Sequence, residues 1–126
     1  MEQQQLDGFI ARYVGMWHEP DAQRRRAIVQ DLWAADGENR SRRFAIQGHE
    51  AIVARVARAH DDWVAKKGFV FRPAGNADAL GNVVKFLWEM VPKGGGAREA
   101  LGLDIFLLHP DGRIRALYQF AEPLPA

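Results

Sequence analysis

The sequence predicts an α+β protein in which three N-terminal helices pack on one face of a mainly antiparallel sheet. Two observations support this fold class. Apolar residues recur at helical spacing up to about residue 65, whereas short β-rich runs alternate with turns from Phe69 onward. Helices followed by antiparallel strands are typical of a layered α+β arrangement. At 126 residues the chain has the length of one domain, so we expect a single domain over 1–126.

Helical spacing predicts the first two helices. The first ends before Pro20, and its buried stripe consists of Leu6, Phe9, Ile10, Tyr13 and Trp17. Asp21 is the expected N-cap of the second helix, and Gly37 is expected to provide the left-handed residue after its C-terminus. The inward residues of the second helix are predicted to be Ala27, Ile28, Leu32 and Trp33.

A short extended segment, Asn39 to Ile46, precedes the third helix. We expect Gly48 to open this helix and the stretch 66–68 to close it. Its apolar side is predicted to contain Ile52, Val56, Ala59 and Trp63, with His60 near the inward side.

Four strands are predicted to follow as an antiparallel meander. They are Phe69–Ala77, Asn82–Val91, Arg98–Leu108 and Arg113–Phe120. The segments between them, 78–81, 92–96 and 110–112, contain the glycine, proline and aspartate residues that tight turns need.

Alternation along these strands predicts an apolar pocket with one carboxyl group. Asp104 shares a face with Phe106, and the preceding strand presents Phe86, Trp88 and Met90 on the corresponding face. Burying a carboxyl group is costly unless it has hydrogen-bond partners, and burial is expected to raise its pKa. Asp104 is therefore the leading candidate for a functional residue.

The opposite face of the same strand is wholly apolar. It is predicted to present Leu101, Leu103, Ile105 and Leu107. A solvated outer face would alternate with polar residues, so we expect this face to be covered, and a second copy of the chain is the expected cover. The sequence thus predicts a homodimer through the outer face of the sheet.

Composition limits the partners. The net charge is +1, so the overall charge favours neither nucleic acid nor a membrane surface, and cysteine is absent, which excludes disulfides and thiol catalysis. No apolar run approaches the roughly 20 residues of a membrane span, and the start at 2–5 lacks signal-peptide features. We expect a cytoplasmic protein. The basic cluster at 40–43 is expected to be solvent-exposed, with phosphate binding as the minor alternative.

Four motifs carry a resemblance to a known family. They are Ala-Arg-Tyr-Val at 11–14, Leu-Trp-Ala-Ala-Asp-Gly at 32–37, Gln-Gly-His-Glu-Ala-Ile at 47–52, and Asp104 followed by Pro-Asp-Gly-Arg-Ile at 110–114. In this order and spacing they resemble the nuclear transport factor two-like (NTF2-like) superfamily, and in particular its SnoaL-like branch. The resemblance covers nearly the whole chain. It implies a cone-shaped roll, in which a curved, mainly antiparallel sheet wraps around the three helices and leaves a cavity between them.

Ketosteroid isomerases, which belong to the same superfamily, stabilise an enolate with a tyrosine hydroxyl and a protonated aspartic acid. Tyr13 and Asp104 resemble these two donors, which implies a catalytic role for both. The position that matches the isomerases' carboxylate base is Ser41, and serine does not take a proton from carbon at a useful rate. His60 is the candidate substitute base, and a structural role for this histidine is the alternative.

Further residues are predicted to contact a flat apolar ligand. They are Trp17, Trp33, Asn39, Ser41, Trp63, Phe86, Trp88, Met90, Phe106 and Gln119. No cofactor is expected, and no metal site either, since the neighbouring residues at 60–62 point in different directions on a helix.

Two functional hypotheses follow from the sequence. The first is a small-molecule pocket protein that binds an apolar ligand or catalyses a cofactor-free, acid-assisted isomerisation, cyclisation or hydration. The second is a non-enzymatic, dimeric interaction or ligand-sensing module, for which a collapsed pocket is expected.

Overall fold

Three helices lie on one face of a curved six-stranded sheet in the computed structural model, which describes residues 1–124. The helices are α1 (Gln3–His18), α2 (Ala22–Leu32) and α3 (His49–Ala59), and a π-helical segment (His60–Ala65) continues α3 directly. The strands are β1 (Trp33–Arg40), β2 (Ala45–Gln47), β3 (Phe69–Leu80), β4 (Val83–Pro92), β5 (Ala100–Leu108) and β6 (Ile114–Glu122). The predicted α+β class is confirmed.

The sheet has the order β2-β1-β6-β5-β4-β3. The meander from β3 to β6 is antiparallel throughout, as predicted, and β1 joins β6 as the one parallel pair among the described strands. Within residues 1–124, no helix is long and apolar enough to cross a membrane.

Helix α1 buries the predicted stripe, and it supplies one wall of the core. All five residues of that stripe are buried, together with Met16. Asp21 is the N-cap of α2, since its Oδ1 accepts a hydrogen bond from the backbone N–H of Arg24 at 3.0 Å. Both predictions are confirmed.

Two predictions for α2 are wrong. Gly37 does not end the helix, because α2 stops at Leu32 and Gly37 lies buried inside β1 without a left-handed φ. A Cβ atom there would approach the backbone oxygen of Ile114 and the Trp33 ring at 3.0 Å, so close packing explains this glycine. Ala27 is exposed rather than inward, and Val29 is the buried residue of that stretch.

Helix α3 begins as predicted. Its N-cap is Gly48, with a left-handed φ of 92°, and its buried residues are Ile52, Val56 and Ala59. The chain then widens into the π-helical segment, and Gly68 ends the helical region with a φ of 70°. Trp63, predicted on the apolar side, is 37% exposed.

The β3–β4 hairpin is longer than predicted. Strand β3 continues past Ala77 to Leu80, and the turn begins at Gly81. Asp78, Ala79 and Leu80, which the sequence indicated as part of a turn, pair regularly with β4 instead. The irregular pairing lies earlier, around Gly75 and Asn76, which both have positive φ.

The register of the meander determines what faces the helices. Phe86 of β4 pairs with Asp104 of β5, which pairs with Gln119 of β6, so these three side chains form one row on the inner face. Two residues further along β4, on the same face, Trp88 pairs with Gly102.

Candidate functional site

An open cavity of about 420 Å³ lies between the helices and the inner face of β3 to β6. Its walls are mainly aromatic, formed by Trp17, Trp63, Phe71, Phe86 and Trp88. Polar and charged groups join this lining, namely Tyr13, Arg43, Arg55, Glu99, Asp104 and Gln119. A largely apolar concavity with a few polar groups is typical of a small-molecule site.

Asp104 lies at the centre of a buried hydrogen-bond network. Its side chain is only 1% exposed. The Tyr13 hydroxyl donates to Oδ2 at 2.8 Å, and the Trp88 indole Nε1 donates to Oδ1 at 2.9 Å. The amide of Gln119 provides longer contacts of 3.4 Å and 3.5 Å to the two carboxyl oxygens. Both oxygens of the carboxyl group therefore have donors, which satisfies the buried group.

Burial raises the pKa of Asp104 from 3.8 to about 6, because an apolar environment disfavours the charged form. The hydrogen bonds from Tyr13, Trp88 and Gln119 act in the opposite direction, as they stabilise the carboxylate. At a pKa of about 6 the group is mainly ionised at neutral pH and mainly protonated in mild acid. The resemblance to the isomerases implies a protonated Asp104. The three hydrogen-bond donors explain why the carboxylate is the main form at neutral pH.

Tyr13 is held in a single orientation by aromatic neighbours. Its ring lies edge-on to Phe106 at 4.8 Å between centroids, and to Phe86 and Trp17 at 5.9 Å each. Burial, followed by the nearby charge of Asp104, raises the pKa of Tyr13 well above its usual 10. The hydroxyl group therefore remains protonated and acts as a donor.

Gly102 creates the space that brings Trp88 to Asp104. A Cβ atom on Gly102 would lie 2.2 Å from Cζ2 of the Trp88 indole, a distance that no real contact allows. The indole thus lies across the backbone of β5, and its Nε1 reaches the carboxyl group two residues along the strand. Glycine at this position is part of the site.

Most of the residues predicted for the site do line the cavity. These are Tyr13, Trp17, Trp63, Phe86, Trp88, Met90, Asp104 and Gln119. The other predicted residues do not line it: Trp33, Asn39, Ser41, His60 and Phe106.

The exceptions have simple structural reasons. Trp33 and Asn39 are buried in β1, which lies beyond β6 in the sheet order and away from the cavity. Ser41 lines a separate depression with Arg40 and Arg42, and it is not among the residues that line the cavity with Asp104. Phe106 shares the face of Asp104 but is covered by Tyr13 and by Phe9, whose ring centroid is 5.1 Å away.

His60 is buried in a structural position. Its Nδ1 lies 3.0 Å from the carbonyl oxygen of Trp17, to which the protonated ring nitrogen donates. This bond joins the π-helical segment to the end of α1. The structural alternative for His60 therefore describes its place in the molecule better than the role of a base does.

Seven lining residues were not predicted as part of the site: Val14, Arg43, Arg55, Ala59, Phe71, Glu99 and Ala100. Arg55 had a readable signal, because it lies three residues after Ile52 and four before Ala59, on the inward side of α3. The inward position was not recognised, because a charged residue is usually expected on the exposed side of a helix. No group of three or more histidine and carboxylate side chains within residues 1–124 is arranged to hold a metal ion.

Comparisons with known proteins support the superfamily. No protein-family model and no curated protein matches the sequence. Among solved structures, a SnoaL-like family protein from Agrobacterium tumefaciens, itself proposed to be an isomerase, is 27% identical with a TM-score of 0.85, over 96% of this chain and 100% of that one. A SnoaL-like protein of unknown function from Burkholderia thailandensis is 14% identical with a TM-score of 0.71, over 98% and 99% of the two chains.

An NTF2-like protein of unknown function from Exiguobacterium is 17% identical with a TM-score of 0.69, over 92% of this chain and 99% of that one. These likenesses span the helices and the sheet together, and they agree with the α+β fold described above. The chain belongs to the NTF2-like superfamily.

Proposed function

We propose that this protein binds a flat, apolar small molecule in the cavity and catalyses a cofactor-free, acid-assisted isomerisation, cyclisation or hydration of that molecule. The observation that carries the proposal is the buried carboxyl group of Asp104, bonded to Tyr13 and Trp88, at an open aromatic cavity. A carboxyl group in a purely structural core is costly, and a proton-exchanging role at a ligand site accounts for its retention. The isomerase assignment suggested for the Agrobacterium relative agrees with this chemistry.

The size and composition of the cavity support a small-molecule ligand. Its volume of about 420 Å³ lies within the range of about 300 to 1,000 Å³ that is common for such sites. Aromatic walls favour a planar ring system, which can stack on the indole and phenyl faces. A pure interaction module is expected to have a collapsed pocket, and an open cavity of about 420 Å³ therefore favours the ligand-binding hypothesis.

The two protonation states of Asp104 present different groups to a ligand. In the ionised state the carboxylate accepts the hydrogen of the Tyr13 hydroxyl. In the protonated state Asp104 can donate its own hydrogen, and the Tyr13 hydroxyl is free to donate to a ligand oxygen. A carbonyl or epoxide oxygen that gains negative charge during the reaction would be stabilised by these donors. Protonated Asp104 is therefore the active form in this proposal.

An acid-initiated reaction also agrees with the presence of serine, rather than a carboxylate base, at position 41. Ser41 lies outside the cavity, so the position that carries the base in ketosteroid isomerases offers no proton acceptor at this site. A reaction that begins with protonation of an oxygen does not require a base to remove a proton from carbon in its first step. The arrangement thus favours cyclisation, hydration or an acid-assisted rearrangement over steroid isomerisation by the usual route.

The test starts from the ligand itself. Native mass spectrometry of the purified protein should reveal co-purified small molecules, and turnover of the identified compound should then be followed against pH. Because Asp104 loses its proton as the pH rises through about 6, we expect the wild-type rate to fall over that interval. Asp104→Asn should lower the rate and remove this pH dependence, and Tyr13→Phe should lower the rate at every pH.

Tyr118→Phe is the matched control, because Tyr118 lies on the last strand but does not line this cavity. Its rate should equal that of the wild type. A wild-type rate that rises through pH 6 would assign Asp104 as a base instead. Retention of the ligand without any turnover would favour the ligand-sensing alternative, which the full hydrogen-bonding of the Asp104 carboxylate also supports.

A further inference from the structure

Arg55 is a cationic side chain on the wall of an aromatic cavity. It projects from α3, and its guanidinium carbon lies 4.8 Å from the Phe44 ring centroid and 5.9 Å from that of Trp17. These two cation–π contacts hold the guanidinium group beside the two rings. Such contacts neutralise neither the charge nor the hydrogen-bonding capacity of the group.

The guanidinium has no acidic partner among the described residues. None of the ion pairs formed within residues 1–124 involves Arg55. Its Nε is buried without a hydrogen-bond acceptor. Native proteins seldom leave a buried donor of this kind unpaired, and an arginine remains charged even where burial lowers its pKa, as it does here.

Asp104 does not fill that role. Its two oxygens are bonded to Tyr13 and Trp88, and Arg55 lowers the Asp104 pKa through its charge alone, by less than each of the hydrogen bonds does. Arg43 adds a second positive charge to the lining. The cavity thus combines aromatic walls with a fixed, unpaired cation that is separate from the proton-exchanging carboxyl group.

We propose that Arg55 binds a carboxylate on the ligand, which makes the ligand class an aromatic or polycyclic carboxylic acid. A guanidinium fork matches the geometry of a carboxylate with two parallel N–H···O bonds. The acid group would lie at α3 while the ring system lies along the aromatic walls, and the reacting oxygen would lie near Asp104 and Tyr13. This inference rests on the proposed ligand-binding function and narrows it to one chemical class.

Isothermal titration calorimetry with two probes of the same shape tests the inference. The probes are 2-naphthoate and its neutral amide, 2-naphthamide, at about pH 8, where the acid is fully ionised. We expect the wild-type protein to bind the carboxylate at least about tenfold more tightly than the amide, because only the carboxylate completes the charged pair with Arg55.

Three variants assign the preference to Arg55. Arg55→Met keeps an unbranched side chain beside the two rings but removes the charge, so the two probes should bind equally. Arg55→Lys keeps the charge without the fork, so the preference should shrink but persist. Arg58→Met, which changes an exposed arginine on the same helix, should keep the full preference.

The outcomes are distinct. Equal binding of the two probes by the wild type would overturn the carboxylate inference and leave the ligand-binding proposal standing. Binding of neither probe would contradict the ligand-binding proposal as well. A preference that survives in Arg55→Met would place the acid group elsewhere and overturn the role of Arg55. Thermal unfolding identifies any variant that does not fold, and Arg55→Lys then carries the comparison alone.

Discussion

At Asp104, two opposing effects decide the protonation state of a single carboxyl group. Burial raises its pKa to about 6, and donors from three different elements lower it. Two of these donors depend on a neighbour that fixes their position: Tyr13 on Phe106, and Trp88 on Gly102. The pKa of Asp104 is therefore sensitive to residues that do not touch it.

Gly102→Ala tests this dependence. The added methyl group would overlap the Trp88 indole, so the ring or the strand must move and the bond from Nε1 to Asp104 is lost. Because that bond lowers the Asp104 pKa, we expect the pKa to rise above about 6 and the free energy of unfolding to fall by about 1 to 3 kcal/mol. Carboxyl NMR titration and denaturant unfolding measure the two effects.

Gly8→Ala is the matched control for that substitution. Gly8 lies in α1 with open space around it, so an added methyl group should stabilise the helix by about 0.5 to 1 kcal/mol without changing the Asp104 titration. An Asp104 pKa that stays the same in Gly102→Ala would show that Trp88 does not set it.

Prediction of individual side chains succeeded where the periodicity of one strand or one helix decides which way a side chain points. Strand alternation was sufficient to place Asp104 with Phe86 and Trp88, and helical spacing put Tyr13 on the inward stripe opposite them. It failed for Ser41 and Asn39, because a side chain's distance from the cavity depends on which strands are neighbours. The parallel pairing of β1 with β6 brings together residues about 80 positions apart, which local patterns do not encode.

Among the elements, the π-helical segment connects α3 to the end of α1 and to the cavity. It continues α3 without a break, and within it His60 contacts the end of α1 while Trp63 reaches the cavity lining. A π turn contains more residues than an α turn, so it changes the direction of the side chains that follow. Apolar spacing alone predicted the helix but not this widening.

His60→Ala distinguishes a structural histidine from a base. Loss of the bond to the Trp17 carbonyl leaves a buried acceptor unpaired, so we expect the free energy of unfolding to fall by about 1 to 3 kcal/mol. The Asp104 titration should stay unchanged, since His60 is not among its partners. Denaturant unfolding and carboxyl NMR report the two quantities.

Asp61→Ala alters the neighbouring, exposed position and should leave stability within about 0.5 kcal/mol of the wild type. Normal stability in His60→Ala together with lost turnover would contradict the structural role and restore His60 as a candidate base.

For the whole molecule, the outer face of the sheet carries an apolar surface that the single chain does not cover. Leu87 of β4, Leu103 of β5 and Phe120 of β6 form a continuous row across this face, and Phe120 is 46% exposed. Apolar rows of this kind on a sheet surface mark interaction sites. We propose that two copies of the chain associate through this face.

Leu103→Glu places a charge in the middle of that row and should convert a dimer into a monomer, because burial of an unpaired carboxylate at an interface is unfavourable. Sedimentation velocity at micromolar concentration measures the change. Ala27→Glu, on the exposed surface of α2, makes a charge change on the helical side and should leave the dimer intact. A wild-type protein that sediments as a monomer would contradict the proposal.

Three of the four tryptophans, Trp17, Trp63 and Trp88, line the cavity, while Trp33 is fully buried away from it. The intrinsic tryptophan fluorescence of the protein is therefore expected to report ligand binding. Occupation of the cavity would alter the emission of the first three indoles, and Trp33 would supply a constant background. Compound libraries can thus be screened against the unlabelled protein before any reaction is known. The wavelength and intensity of its tryptophan emission are the quantities measured.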